Sequence, residues 1–454
     1  MLTQADIQFI IDNEKGDVSR LLLGKAPQGV NLQLCCKCIQ AREKMRVKAP
    51  LWHSNPALVY PFSVSVEQGS SQITALFKQK IISDLFRGEH SSTKEGAFVD
   101  GTEVSVASST KEGVFVDGTV SLGQGAVECS ESSGREIVTA DLTGGMGIDS
   151  YFISRIASKH FYFERNGELC AATAYNLGQL GAENVVLQNR DVTADDCAAL
   201  RELEGKGISL LYIDPARRTE TGGKAILLQD YEPDVIDLQE RMFAVSRYIL
   251  VKVSPMADIK LNLKYLPKTK AVYVVAVDNE CKELLFLLDS EHNGSEPVIH
   301  CVDCNSRTGK MESFELKISD EESAAANYSN SVGAYLYEPN KAVMKGGAYK
   351  LVSQRFNCGK LAPSTHLYTS EIQIADFPGK VFSVEEVIPF NKKSLKELAK
   401  RHPKADLTAR NFPLDTNALK KLSGIKDGGN RHIFAVTLTN GDKVLIITAH
   451  IVYL

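Results

Sequence analysis

A chain of 454 residues, 43% hydrophobic and 24% charged with a net charge of −4, has the make-up of a globular protein of about two to four domains. No apolar run approaches the ~20 residues of a membrane span, and Met1-Leu-Thr-Gln-Ala-Asp6 lacks the basic start and apolar core of a secretion signal, so a cytoplasmic protein is expected. Ten cysteines over this length exclude a disulfide scaffold.

Residues 1–87 read as a helical region. Ile7, Ile10 and Ile11 and then Leu21–Leu23 recur at helical spacing, and Thr3 is suited to cap the first helix. Cys35 and Cys38 fall in a helical pattern, and Cys301 and Cys304 in a strand, which favours reduced structural thiols over a zinc site. No metal is expected. Ser70-Ser-Gln-Ile-Thr-Ala-Leu-Phe-Lys-Gln-Lys-Ile-Ile82 continues as an amphipathic helix.

Residues 88–133 hold a near-duplication: Ser91–Thr102 returns as Ser108–Thr119 with only Ala97 and Val114 differing. Two such units fall short of the about three that a stacked array needs. The segment reads as an inserted loop or weak hairpin, dispensable for chemistry.

From residue 136 strands and helices alternate, as a doubly wound parallel sheet requires. The centre of the reading is Val138-Thr-Ala-Asp-Leu-Thr-Gly-Gly-Met-Gly-Ile-Asp149, a buried strand that ends in an acid, passes glycines and opens a helix. Gly144, Gly145 and Gly147 suit a tight turn close to a ligand, and Asp149 is expected to cap the helix running to Ile156. The third small residue of a dinucleotide fingerprint falls on Ser150, beside bulky Tyr151. Asp141 would repel a pyrophosphate and attract the ammonium of an aminoacyl sulfonium. S-adenosylmethionine is therefore the predicted cofactor.

The second strand, Phe161–Glu164, ends in a carboxylate 23 residues after Asp141, placed to accept hydrogen bonds from both ribose hydroxyls. The third strand, Val185–Gln188, precedes Asp191, which can equally begin the next helix. The fourth, Ile208–Ile213, delivers Asp214-Pro215-Ala216-Arg217-Arg218 to the crevice where such folds place ligands. Methyl transfer needs an aimed lone pair more than a strong base, and Asp214 and the Pro215 carbonyl can orient an amine. Arg217 can stack on a base or bind phosphate, or Arg217 and Arg218 can pair with local acids such as Asp230. The fifth strand, Tyr248–Val253, carries Lys252, which can reach a phosphate or snorkel. Ala271–Val277 and Leu284–Leu288 flank a turn and form a closing hairpin.

Asp141–Asp149 resembles motif I of class I S-adenosylmethionine-dependent methyltransferases. Ser70–Ala75, Asp214–Arg218, Asn279-Glu-Cys-Lys-Glu-Leu284, and Arg410-Asn-Phe-Pro with Lys426-Asp-Gly-Gly429 narrow the match. Together they resemble bacterial methyltransferases with a ferredoxin-like module and a THUMP-like domain, over nearly the whole chain except about 88–133. The resemblance implies a Rossmann-like α/β sheet of seven strands, after an N-terminal helical region and before small C-terminal α+β modules. It divides the chain into residues 1–87, the insertion 88–133, a methyltransferase domain 134–334, a ferredoxin-like module 335–379 and a THUMP-like domain 380–454. It implies that Asp141, Thr143, Gly144, Gly145, Gly147, Asp149, Glu164 and Asp191 hold the donor, with Asp191 at the adenine amine and Ser70–Ala75 nearby. Asp214, Pro215, Ala216 and Arg217 would be catalytic. The family's amino-methylating cousins often carry a second proline and an aromatic where this chain has Ala216 and Arg217. Relatives that methylate carbon five of pyrimidines place a cysteine where Ser254 stands, which disfavours that reaction.

Residues 380–454 hold 13 lysines and arginines against 7 carboxylates, a net of +6 on a chain of −4. That asymmetry suggests contact with a phosphate backbone through Lys392, Lys393, Lys396, Lys400, Arg401 and Arg410, with Arg218 as a further substrate contact. The expected activity is methylation of a base nitrogen in structured RNA, tRNA or rRNA. A methyltransferase for proteins or small molecules, and a non-catalytic RNA-binding protein with a vestigial cofactor fold, are the alternatives.

Overall fold

The computed structural model describes residues 1–91, 136–217 and 228–450. Most of the duplicated insertion, and Arg218, lie outside them. The chain divides into two compact units, one of Met1–Val253 with Leu287–Glu291 and Ser306–Gly309, the other of Ser254–Phe286, His292–Asn305 and Lys310 onward.

The first unit begins with helices. Helix α1 (Gln4–Asp12) starts at a capping box in which Thr3 and Asp6 exchange hydrogen bonds. Helix α2 (Leu32–Lys48) buries Cys35, Cys36, Cys38, Ile39 and Met45. Burial pushes the Cys35 thiol up to about 12 and Cys38 up to about 11, as expected of inert packing residues. Helix α3 (Gln72–Ser91) turns Thr74, Ala75, Phe77, Lys78, Ile81 and Ile82 inward.

Five parallel strands follow: β1 (Val138–Asp141), β2 (Lys159–Phe163), β3 (Val185–Gln188), β4 (Leu210–Ile213) and β5 (Tyr248–Val253). β4 is buried throughout and β5 nearly so, because helices cover both faces of such a sheet and its central strands become continuous apolar runs. Helix α4 (Ile148–Ser154) follows β1, and helix α5 (Gly167–Gln179) follows β2 with Asn166 as its cap.

β6 (Thr269–Val277) and β7 (Glu280–Asp289) are joined at Asp278-Asn279, both with positive φ (50° and 63°), as a two-residue hairpin turn demands. β8 (Val298–Cys304) pairs parallel to β6, and β9 (Met311–Leu316) antiparallel to β8. The sheet order is β9-β8-β6-β7-β5-β4-β1-β2-β3. Seven strands were expected and nine are present. The expected seven run β6-β7-β5-β4-β1-β2-β3, the class I methyltransferase order, and β8 and β9 lengthen that edge. A strand at Cys301 is legible from its sequence, but its partner is not.

In the second unit β10 (Tyr335–Pro339), β11 (Gly359–Ala362), β12 (Thr365–Ser370), β13 (Gly379–Pro389), β14 (Asp406–Arg410), β15 (His432–Thr437) and β16 (Lys443–His450) form another sheet. Its order is β11-β12-β10-β13-β16-β15-β14. The ferredoxin-like and THUMP-like stretches are thus not beads on a string. β13 pairs with β10 through Gly379–Ser383 and with β16 through Phe382–Pro389. Alternation along β15 separates two cores: Ile433 and Ala435 pack with Leu395, Leu398 and Leu419, while Phe434 and Val436 pack with Leu336, Leu367 and Phe382. Leu395 and Leu398 belong to helix α6 (Lys392–Arg401), and Leu419 to helix α7 (Thr416–Ser423), which Asp415 caps and Gly424 ends.

Candidate active site

Three strand ends of the first unit bring acids together. Asp141 closes β1, Glu164 follows β2 and Asp214 follows β4; parallel pairing sets Asp141 level with Tyr162 and Tyr212, so Glu164 and Asp214 each stand two residues further along the chain than those register partners. Between β1 and α4 the chain turns through Leu142–Gly147. The Gly144 N–H donates to the Phe163 carbonyl (2.8 Å), and the Gly145 carbonyl accepts from Tyr162 Oη (2.5 Å) and Thr173 Oγ1 (2.9 Å). A methyl on Gly144 would sit 2.0 Å from the Tyr162 ring, and Gly147 holds φ of 76° with Thr173 Cγ2 2.6 Å from where a Cβ would be. The glycines let the turn lie flat against β2 and α5.

Asp141 is buried. Its Oδ1 accepts from the Thr143 N–H (3.0 Å) and its Oδ2 from Ser150 Oγ (2.6 Å). Burial, opposed by those two bonds and aided by the charges of Asp149 and Asp214, pushes the carboxyl up to about 7. Thr143 Oγ1 accepts from the Asp214 N–H (2.7 Å), tying the turn to the end of β4. Glu164 Oε2 accepts from the Gly145 N–H (3.0 Å) and Oε1 from the Asn166 N–H (2.7 Å). Asp191 spends one oxygen on Thr193, and although part burial disfavours its charge, Thr193 and Arg165 hold its carboxyl below the usual range.

Asp149 departs from expectation. Gly147, not Asp149, is the cap of α4, and Asp149 sits in the first turn with its carboxylate turned inward. Its Oδ2 accepts from Ser70 Oγ (2.6 Å) and Tyr212 Oη (2.7 Å), and its Oδ1 lies 3.1 Å from Lys78 Nζ. Burial works against its charge, yet Lys78, then Lys252, hold its carboxyl below the ordinary range. The expectation failed because a cap and a buried ion-pair partner look alike in sequence. Lys78 is missed by sequence reasoning. The signal is a lysine on the apolar face of α3, flanked by Ala75, Ile81 and Ile82.

Asp214 pairs through Oδ2 with Lys252 Nζ at 2.5 Å, a partner neither phosphate contact nor snorkelling would give. Pro215 is buried and Ala216 exposed. Ala216 and Arg217 form a short strand against Glu232 and Tyr231, so the segment after β4 folds back on itself. A cavity of about 630 Å³ lined by residues such as Phe86, Ser209, Phe243 and Tyr248 opens at the other end of the strands and touches none of these acids.

The basic residues expected to bind substrate lie in the second unit. Lys392, Lys393, Lys396 and Lys400 are exposed on α6, and Arg401 at its end pairs with Glu386 at 2.7 Å. Arg410 stands apart from them: it closes β14 and pairs with Glu338 of β10. Among the described residues no group of three or more His, Cys, Asp or Glu is placed to hold a metal, and no helix is long and apolar enough to cross a membrane.

Comparison with known proteins follows the same division. Residues 335–378 match a ferredoxin-like domain family and residues 379–450 a THUMP domain-like family. No curated protein matches the sequence. Among solved structures, a Porphyromonas gingivalis W83 protein named "putative methyltransferase" is 28% identical, with a TM-score of 0.78 over 98% of this chain and 97% of its own. An rRNA methylase from Streptococcus thermophilus is 15% identical over 34% of this chain and 87% of its own, with a TM-score of 0.27. Strand order, the two matched domains and the end-to-end likeness agree: the chain has the class I methyltransferase fold, carries a ferredoxin-like and a THUMP-like module at its C-terminal end, and is similar along nearly its whole length to the Porphyromonas gingivalis protein.

Proposed function

We propose that this protein transfers a methyl group from S-adenosylmethionine to a base nitrogen of structured RNA, tRNA or rRNA. The observation that carries the reading is the gathering of Asp141, Asp149, Asp214 and Glu164 around one glycine turn, with Lys78 and Lys252 beside them. Four carboxylates against two ammoniums leave an electronegative site at the carboxyl ends of the strands, which suits a cationic ligand. When bound there, S-adenosylmethionine supplies an electrophilic methyl carbon on a sulfonium.

The chain's own residues bind and orient. In this reading Glu164 takes the ribose hydroxyls, Asp141 the ammonium and Asp191 the adenine amine, and the Gly144–Gly147 turn allows the close approach. Asp214 and the Pro215 carbonyl accept hydrogens from a substrate amine and so aim its lone pair. Ala216 and Arg217, which follow in the chain, complete the proposed catalytic set. In this reading residues 134–334 are the catalytic domain, and 335–379 and 380–454 present RNA through the exposed lysines of α6. The test has two parts. Calorimetry on the purified protein is expected to detect uptake of the donor, and its absence overturns the proposal. RNA from a deletion strain is expected to lack one methylated nucleoside by mass spectrometry; an unchanged nucleoside set overturns the RNA half.

A further inference from the structure

Lys252 has no part in the reading above beyond its charge. Parallel pairing of β4 with β5 sets Ile213 level with Val251, so the next residues along, Asp214 and Lys252, emerge side by side at the crevice. The lysine side chain is 12% exposed and the aspartate 32%, so the pair is shielded yet open on the carboxylate's side. Lys252 holds Oδ2, and the Asp214 backbone is tied to Thr143 of the glycine turn. Among the described residues nothing donates to Oδ1.

We infer that Lys252 is a positioning residue for methyl transfer: its ammonium fixes one oxygen of Asp214 so that the other accepts a hydrogen from an exocyclic amino group. The inference rests on the methyltransferase reading and narrows its substrate. An ionised carboxylate clamped by an ammonium has only lone pairs to offer, so it welcomes the amino edge of adenine, cytosine or guanine and repels the carbonyl edge of uracil. Without Lys252, Asp214 would stand near the charge of Asp141 with no cation of its own, and its carboxylate would no longer be held in one orientation. In the reaction the amine lone pair forms the new N–C bond while the S–C bond breaks, its electron pair staying on sulfur. The nitrogen then passes its extra proton to solvent, so Asp214 need not act as a base.

The experiment uses the full chain, S-adenosylmethionine, and total RNA from a strain lacking the protein. Lys252→Met is expected to bind the donor within about threefold of wild type by calorimetry, yet to lose about 100-fold in kcat, the scale of removing one hydrogen bond made in the transition state. Lys252→Arg is expected to recover most of that loss, and Asp214→Asn added to Lys252→Met to cost little more. Should Lys252→Met fail to fold, Lys252→Gln, which keeps a donor without the charge, is expected to fall between wild type and the methionine variant. Wild-type kcat in either uncharged variant, with donor uptake intact, overturns the role of Lys252 alone. A wild-type protein that takes up donor but methylates nothing in that RNA overturns the RNA reading and this inference with it.

Discussion

With its carboxyl pushed up to about 7, chiefly by burial, Asp141 is increasingly protonated below that pH, and a neutral acid offers a ligand ammonium nothing to pair with. The sign follows: donor affinity is expected to be full above about pH 8 and to weaken by up to about tenfold per pH unit below 7. Calorimetry with S-adenosylmethionine between pH 5.5 and 8.5 measures the slope, and Asp141→Asn should flatten it at the weak limit. A flat wild-type profile would remove Asp141 from the ammonium's side. Gly144 gives a second expectation at this scale. A Cβ 2.0 Å from the Tyr162 ring has no room, so Gly144→Ala should destabilise the fold by about 1–3 kcal/mol in thermal melts and weaken donor uptake. The positions of both residues, a buried acid at the end of β1 and a glycine in the tight turn after it, were legible in sequence from the order of apolar run, acid and glycines. Arg410 was not: an arginine seeking phosphate and one already bound to Glu338 have the same neighbours in sequence.

Among the elements, α3 reaches furthest. It belongs to the N-terminal helical region, yet its Lys78 is wholly buried against Asp149 on α4, with Ser70 and Tyr212 completing the cluster. Breaking such a pair leaves a buried charge alone, so Lys78→Met is expected to cost about 3–5 kcal/mol in denaturant unfolding. Lys78→Met with Asp149→Asn should cost less than the single change, because the amide still accepts from Ser70 and Tyr212. An additive or worse double variant would mean that the pair is not what holds α3. The alternation of strand and helix from residue 136 was readable throughout, since each strand is a short apolar run ended by polar or turn residues. What stayed hidden were partnerships. Periodicity tells a strand which face is apolar but not which strand lies beside it, hence the missed pairing of β8 with β9 and the misassigned Asp149.

On the scale of the whole molecule, charge is unevenly spread: carboxylates gather at the strand ends of the first unit, and exposed lysines stand along α6 in the second. If α6 binds RNA, replacing Lys392, Lys393, Lys396 and Lys400 by alanine should raise the dissociation constant. It should also make the salt dependence shallower, by on the order of 0.7–0.9 in log–log slope for each phosphate that is no longer neutralised. Filter binding at several salt concentrations decides it; an unchanged slope would place the RNA elsewhere. These side chains are on the surface of a helix whose buried residues are Leu395 and Leu398, so folding should survive the change.

The long strand β13 bears on how such experiments are cut. One ribbon of backbone, residues 379–389, supplies the neighbour for β10 on one flank and for β16 on the other. A chain ended at 379 would strip β10 of that flank and open an unsatisfied margin, an invitation to aggregate. Point substitutions on α6, rather than deletion, are thus the sound way to ask what the last seventy-odd residues do, since they leave both flanks of that ribbon paired.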